Sequence, residues 1–353
     1  MNSEIGTKLH WDLGSAYDLF ICLRILHNPE HYGLRASWAA GVRSRLSLEQ
    51  RQTLETSVKM WYANPIAYVF SLPTPKNSET LLAALRALPP SRLLETLSLR
   101  YTTPEPLKEI LLSTTSKRHW TEAEYGKIIE VFHSQQRDPQ PTFLEEVYQT
   151  WANREKFGED YLSALQAFVD NFFAEEEQRI TPILHQGLSH AQMRAGSLPL
   201  PALLEEITHG VRYGDLGRIS NLYLAPSFWG APFLFYQSLD ASSVLMLYGF
   251  RPDSMALIPG EVISETLLNG LSALSDSTRL RILRYLAQSP QTAAQLSRAL
   301  RLRPPTVAHH LNQLRMAGLI QVILTPEGDR QYATRFNGLE SIQDSLSRFI
   351  HGE

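Results

Sequence analysis

The sequence predicts a mainly α fold: a large helical N-terminal body carrying a small antiparallel β-sheet, followed by a basic unit at the C-terminus. Three observations predict it. Apolar residues recur at helical spacing from Gly14 to His209, punctuated by prolines and capping residues. Between Ile219 and Phe250 the pattern shifts to short aromatic and apolar runs. From Leu271 to Phe336 come three short helical segments and two β-branched runs around a polar turn, with no lysine and a marked surplus of arginine.

The chain has 353 residues, 43% hydrophobic and 20% charged, enough for two or three domains. We divide it into a body over 1–258 and a C-terminal unit over 259–353. No apolar run approaches the ~18 residues of a membrane span, and the N-terminus lacks a signal-peptide pattern, so no membrane partner is expected. Cys22 is the single cysteine. It excludes an internal disulfide, fits a reducing cytoplasm, and reads as a small buried hydrophobe.

In order, Gly14 to Leu26 is an amphipathic helix with Ala16, Leu19, Phe20, Leu23, Ile25 and Leu26 on its apolar side. It runs into His27-Asn28-Pro29-Glu30-His31, which matches H-x-x-E-H. That zinc-hydrolase pattern needs both histidines on one helix face, and Pro29 breaks the helix between them. Arg35 to Arg45 reads as helix. Ser47 with Gln50 has capping-box spacing and opens a helix to about Tyr62. Ser78 to Leu88, Ser91 to Leu99 and Pro104 to Leu112 are short helices separated by prolines or polar turns. Thr121 with Glu124 caps the next, to about His133, and Phe143 to Asn153 follows. Glu159 opens the longest periodic run, with Tyr161, Leu165, Phe168 and Phe172 in register and a kink expected at Pro182. Leu200 to His209 is a further helix. No internal repeat is evident. Ile219 to Leu224, Pro232 to Ser238 and Ser243 to Phe250 read as an antiparallel sheet with a turn at Asp240-Ala241-Ser242. If the body holds a ligand pocket, Phe228, Trp229, Phe233 and Phe235 are the aromatic residues expected to wall it.

The C-terminal unit carries the chemistry. From Ser277 to Arg335 lie nine arginines against two acids, Glu327 and Asp329, a surplus of seven. The whole chain is −3, so the remainder sums to −10. A basic unit on an acidic body is the electrostatic footprint of a phosphate-binding surface. Asp276 caps a first helix with Leu280, Ile282, Leu283 and Leu286 inward, and Ser289-Pro290 stops it. Thr292 with Gln295 is a capping-box pair opening a second helix. Pro304-Pro305 suits the first turn of a third, which runs to Met316 with Val307, Leu311 and Leu314 on one face. Thr306, His309 and Gln313 fall on another face, with His310 between the two. Short polar side chains there can reach base edges, and Arg301 and Arg303 can grip phosphates at the helix N-terminus. Gly318 closes the helix. Ile320 to Thr325 and Arg330 to Arg335 form two strands, with Arg330 at their tip. This order describes a winged helix-turn-helix.

The segments ALSDSTRLRIL (273–283), TVAHHLNQLRMAGLI (306–320) and EGDRQY (327–332) resemble the ArsR-type winged helix-turn-helix repressors over roughly the last 90 residues. The resemblance implies a homodimeric regulator that releases DNA on binding an inducer. It carries the recognition role onto Arg303, Thr306, His309 and His310, and the wing role onto Arg330. Three positions depart from the family pattern: Arg301 stands where many relatives have glycine, Ser277 replaces a frequent proline, and Asp329 puts an acid in the wing. LYLAPSFWGAPFLFY (222–236) is similar to a segment in a subset of these regulators with a large N-terminal domain of unassigned function.

The helices on either side of the unit carry apolar stripes, Ile263, Leu267 and Leu271 before it and Leu339, Ile342, Leu346 and Phe349 after it. A unit of this size is not expected to cover them alone, and in the family resembled such helices pair across a dimer. No metal or cofactor is expected: the helix before the recognition helix has no cysteine, and soft-metal sensing needs thiolates. No nucleophile elbow, phosphate loop or metal-ligand set points to an enzyme. The reading is a cytoplasmic, homodimeric repressor of double-stranded DNA at a palindromic operator, answering an unknown non-metal signal such as a small-molecule effector. The alternative is a ligand- or partner-binding protein whose basic unit is an adaptor to other proteins, and a shallow salt dependence would mark it.

Overall fold

A computed structural model of the chain describes residues 7–32, 34–60, 65–117, 119–134, 138–213, 216–252, 255, 265–324 and 330–351. Strand β1 (Lys8–Trp11) leads to α1 (Ala16–His27), around which the body is assembled. The apolar stripe of α1 understates its burial: ten of its twelve residues are buried, Asp18 and Cys22 among them. The helix is enclosed because α2 (Ala36–Arg43), α3 (Leu48–Met60), α4 (Ile66–Phe70) and α5 (Ser78–Arg86) all pack on it. A 3₁₀ turn, Pro29–Tyr32, follows α1, so His27 and His31 do not share a helix.

Local chemistry sets most boundaries. Ser47 and Gln50 exchange backbone and side-chain hydrogen bonds of 3.0 and 3.2 Å at the start of α3. The Asn77 side chain accepts from Thr80 N at the head of α5. Prolines occupy the first turns of α6 (Pro90–Ser98), α7 (Glu105–Ser113) and α9 (Pro141–Ala152), where no N–H partner is needed. Between them, α8 (Glu122–Ser134) starts at the reciprocal Thr121–Glu124 cap. Then α10 (Arg154–Phe168) passes through a π turn at Val169–Phe173 into α11 (Ala174–Ala195). The departure from α geometry thus falls at the π turn, while α11 runs through Pro182 as helix. The short α12 (Leu200–Ile207) follows.

Strands β2 (Val211–Tyr213), β3 (Asn221–Ser227), β4 (Leu234–Ser238) and β5 (Ser243–Gly249) come next. The expected antiparallel sheet is mixed instead, in the order β1-β3-β5-β4. The β4–β5 hairpin is antiparallel as read, with Leu234 opposite Tyr248 and Ser238 opposite Val244. That hairpin folds back so that β5 lies beside β3, and the two run parallel over seven paired residues. The unexpected β1 adds in parallel on the far side of β3. Burial on both faces explains why β3 and β5 read as nearly continuous apolar runs.

The buried Asp18 carboxylate joins α1 to the segment after β3. It accepts from Ser227 Oγ and Trp229 N at 2.7 Å, and from Phe228 N at 3.3 Å. Burial still lifts its pKa to about 7 against these three donors. Phe228 and Trp229 are fully buried in the main hydrophobic cluster.

The C-terminal unit has its own cluster. Its elements are α13 (Glu265–Leu274), α14 (Ser277–Gln288), β6 (Gln291–Thr292), α15 (Ala293–Leu300), α16 (Pro304–Met316), β7 (Ile320–Leu324), β8 (Arg330–Thr334) and α17 (Phe336–His351). The β7–β8 hairpin is flanked by β6 on β8 and, from the body, by β2 running parallel to β7.

Candidate nucleic-acid interface

Three helices and the hairpin position the basic side chains. The Asp276 carboxylate accepts from Arg279 N at 2.8 Å and starts α14. At the head of α15, Thr292 and Gln295 form the full capping box, with bonds of 2.7 and 3.2 Å. The turn into α16 passes through Arg301 at φ 56°, ψ 42°, left-handed backbone that suits glycine. The Ser297 hydroxyl, donating to Leu302 O at 2.5 Å, holds this turn closed. Val307, Leu311 and Leu314 of α16 are buried in the unit's cluster, as their spacing predicts. Gly318, at φ 68°, ends the helix.

The nine arginines divide into two groups. Arg279 donates to the carbonyls of Ala273 and Ser272, tying α14 to the end of α13. Arg315 is half-buried, its guanidinium 5.4 Å from the centroid of the Phe233 ring. Arg335 is half-buried beside Gly210. The other six, Arg281, Arg284, Arg298, Arg301, Arg303 and Arg330, are exposed. An exposed guanidinium can exchange water for a phosphate at little desolvation cost.

Thr306 and His309 are exposed on α16 beside Arg301 and Arg303, and Gln313 is half-buried further along. His310 turns partly inward: its Nδ1 is buried with no hydrogen-bond partner among the described residues. Burial, together with Arg279 and His309, lowers its pKa, and Asp276 opposes them. Beyond His310 the helix meets the body, where Asn312 Nδ2 donates to His31 O at 3.1 Å. The His31 ring stacks on Phe233 at 6.0 Å. The tip of the wing, 325–329, which includes Glu327 and Asp329, lies outside the described residues; Arg330 at its edge is exposed.

Sequence reasoning missed the join between body and unit. Val211–Tyr213 is too short to register as a strand, yet it pairs with Val322–Leu324. The signal was the preceding His209-Gly210, both at positive φ, which turns the chain out of α12.

The stripes expected to need a partner are largely covered within one chain. Leu267 and Ile342 are buried in the unit's cluster, with Leu339 and Leu346 packed against it. Gly270 admits this contact, since a side chain there would meet Ile342 at 2.6 Å. Leu271 and Phe349 remain exposed, with Leu268 and Ile350. Ile263 lies outside the described residues. Nor do the aromatics Phe228, Trp229, Phe233 and Phe235 line the apolar cavity of the body. Helices α1, α3, α6, α7, α8 and α9 line it instead.

Among the described residues no group of three or more His, Cys, Asp or Glu could hold a metal ion. No described helix is long and apolar enough to cross a membrane. No curated protein matches the chain. Among solved structures it is similar to an ArsR-like transcriptional regulator from Rhodococcus sp. RHA1. The identity is 29%, over 25% of this chain and 79% of that one, with a TM-score of 0.23. Residues 276–322 match the model of the arsR family of bacterial regulatory proteins. That span starts at the cap of α14 and ends within β7, so the segment bearing five of the six exposed arginines is an ArsR-type helix-turn-helix.

Proposed function

We propose that the protein is a homodimeric transcriptional repressor that binds a palindromic operator and answers a non-metal signal in the cytoplasm. The observation that carries this reading is the set of six exposed arginines on the unit, two of which, Arg301 and Arg303, stand at the N-terminal end of α16 with Thr306 and His309 exposed after them. In this reading Arg301 and Arg303 contact phosphates, Thr306 and His309 meet base edges, and Arg330 follows the backbone from the wing. Gln313 follows on the same side of α16 as Thr306 and His309, with His310 beside it, and both half-buried side chains add to the contact with DNA in this reading. The acidic body limits binding to the one face that is positive.

The exposed apolar side chains Leu268, Leu271, Phe349 and Ile350 on α13 and α17 support a two-fold contact there. Two copies so joined would present two α16 helices to half-sites about one DNA turn apart. Charge substitution at Leu271 and Phe349 together gives a monomer in sedimentation if this surface is the contact, and leaves the mass unchanged if it is not.

The test of function is binding of the full-length protein to DNA from upstream of its own gene, titrated with salt. Each phosphate contact contributes roughly 0.9 to the slope of log affinity on log salt, so a regulator gives a steep slope. A flat dependence, with no preference over random DNA, overturns the regulator reading and favours the protein-adaptor role of the basic unit.

A further inference from the structure

One cavity of the body lies among α1, α3, α6, α7, α8 and α9. Its volume is about 370 Å³, and its walls include Met60, Leu111, Ile128, Phe132, Phe143 and Trp151. Close-packed interiors leave few voids larger than a water molecule. At roughly 30 Å³ each, the liquid share of a water molecule, this space admits about a dozen heavy atoms.

Two polar groups set the chemistry of what fits. Ser98, only 6% exposed, lines the cavity, and its hydroxyl has no hydrogen-bond partner among the described residues. Arg24 also lines it. Its Nε donates to Tyr32 Oη at 3.1 Å, and no carboxylate pairs with it among the described residues. Lys59, the other cation of the lining, is already neutralised by Glu55 at 3.2 Å and Glu146 at 3.3 Å. The surroundings of Arg24 are positive as well: burial and the Arg24 charge hold Arg100 down at about 10. A half-buried guanidinium with no carboxylate partner among the described residues, lining the same apolar chamber as an orphaned hydroxyl, suits one monoanion with an apolar tail.

We infer that the cavity binds an organic carboxylate of about a dozen heavy atoms, its head on Arg24 and Ser98 and its chain among Leu111, Ile128 and Phe132. Arg24 also begins a contiguous path to α16. Tyr32, which it holds, packs edge-on against Phe233 at 5.1 Å. Phe233 lies under Arg315, and its stacking partner His31 accepts from Asn312 through the backbone. A carboxylate on Arg24 competes with Tyr32 for the guanidinium and loosens this seat of the recognition helix. That second step rests on the regulator reading above; the binding step does not.

The test uses calorimetry on the full-length chain with decanoate, and 1-decanol as the uncharged control. Decanoate saturates one site per chain and binds at least tenfold more tightly than 1-decanol. Arg24→Met reduces decanoate to the level of the alcohol. Ile128→Trp fills the chamber and removes both while the circular dichroism spectrum is kept. Binding without saturation, a ratio near one, or indifference to Ile128→Trp overturns the site, and these readouts stand even if Arg24→Met fails to fold. For the coupling, saturating decanoate weakens operator binding at least fivefold in the wild type and less in Phe233→Leu. Unchanged or tighter operator binding overturns the coupling alone. A protein that binds decanoate but no DNA removes the coupling and the regulator reading together, and leaves the carboxylate site standing.

Discussion

The two ends of α16 are built for different work. At its N-terminal end Arg303, Thr306 and His309 face solvent, and the turn before it adds Arg301. At its C-terminal end Asn312 is bonded to the body through His31, Arg315 is covered by Phe233, and Met316 is buried. One helix thus has a free end and a held end. The free end can meet a polyanion without disturbing the fold. The held end fixes how the helix is aimed, so a change in the body reaches the basic face through about two turns of rigid helix.

The comparison breaks most visibly at the held end. Phe233 is 8% exposed and touches Tyr32, His31 and Arg315. Phe233→Ala empties that seat and is expected to cost about 3 kcal/mol, as large-to-small aromatic changes do. Thermal unfolding measures it. If the two ends are independent in their chemistry, the variant still shows the wild-type salt slope on DNA, because none of its lost contacts is with a phosphate.

At the free end the expectation is reversed. Arg303→Ala with His309→Ala leaves the unfolding temperature nearly unchanged, since both side chains are exposed. Affinity for specific DNA falls by about 2–3 kcal/mol in fluorescence anisotropy, and the salt slope drops by about one. An unfolding temperature that falls with the affinity would show that the free end also holds the fold.

These differences explain how far the chain could be read. Most of the unit was legible because its signals are local: the Asp276 cap, the Thr292–Gln295 box, the i, i+4, i+7 spacing of Val307, Leu311 and Leu314, and Gly318. The exposed set at the free end of α16 follows from that periodicity. The held end was illegible because its partners lie far away in sequence: His31 follows the first helix, Phe233 sits between two strands, and β2 is three residues long. Likewise, the stripe on α13 and α17 gave the apolar positions but could not say that the two helices cover each other, which depends on Gly270 opposite Ile342. The cavity was invisible for the same reason, since its walls come from six helices. The parallel pairing of β3 with β5 was hidden because a fully buried strand has no alternation to show its neighbours.

A smaller effect separates fold from function at one residue. Arg301 holds a left-handed conformation that costs a non-glycine residue about 1 kcal/mol. Arg301→Gly removes the strain and is expected to raise stability by up to that amount, less the entropy glycine gains when unfolded. The same change deletes an exposed arginine at the free end, so DNA affinity falls as stability rises. Opposite signs in the two assays would show that the arginine is kept against the preference of the turn. A fall in both would mean that its side chain also anchors the turn.

The smallest expected effect lies where the two ends meet. His310 has a buried Nδ1 without a hydrogen-bond partner among the described residues, and a pKa below its ordinary value, chiefly through burial, with Arg279 and His309 pushing the same way and Asp276 opposing. The folded ring therefore binds fewer protons than the unfolded one. Stability is full above the unfolded pKa of about 6.5 and falls as pH drops below it, until the folded ring also protonates. Replacing the ring by His310→Gln keeps a polar side chain without a titrating group, so it flattens the part of the acid-side loss that belongs to this position. Unfolding midpoints of the two proteins, measured from pH 7.5 down to pH 5, should converge as the pH falls. A constant gap would mean that the inward ring is hydrated after all, and that His310 belongs with Thr306 and His309 on the free end rather than at the hinge between the two.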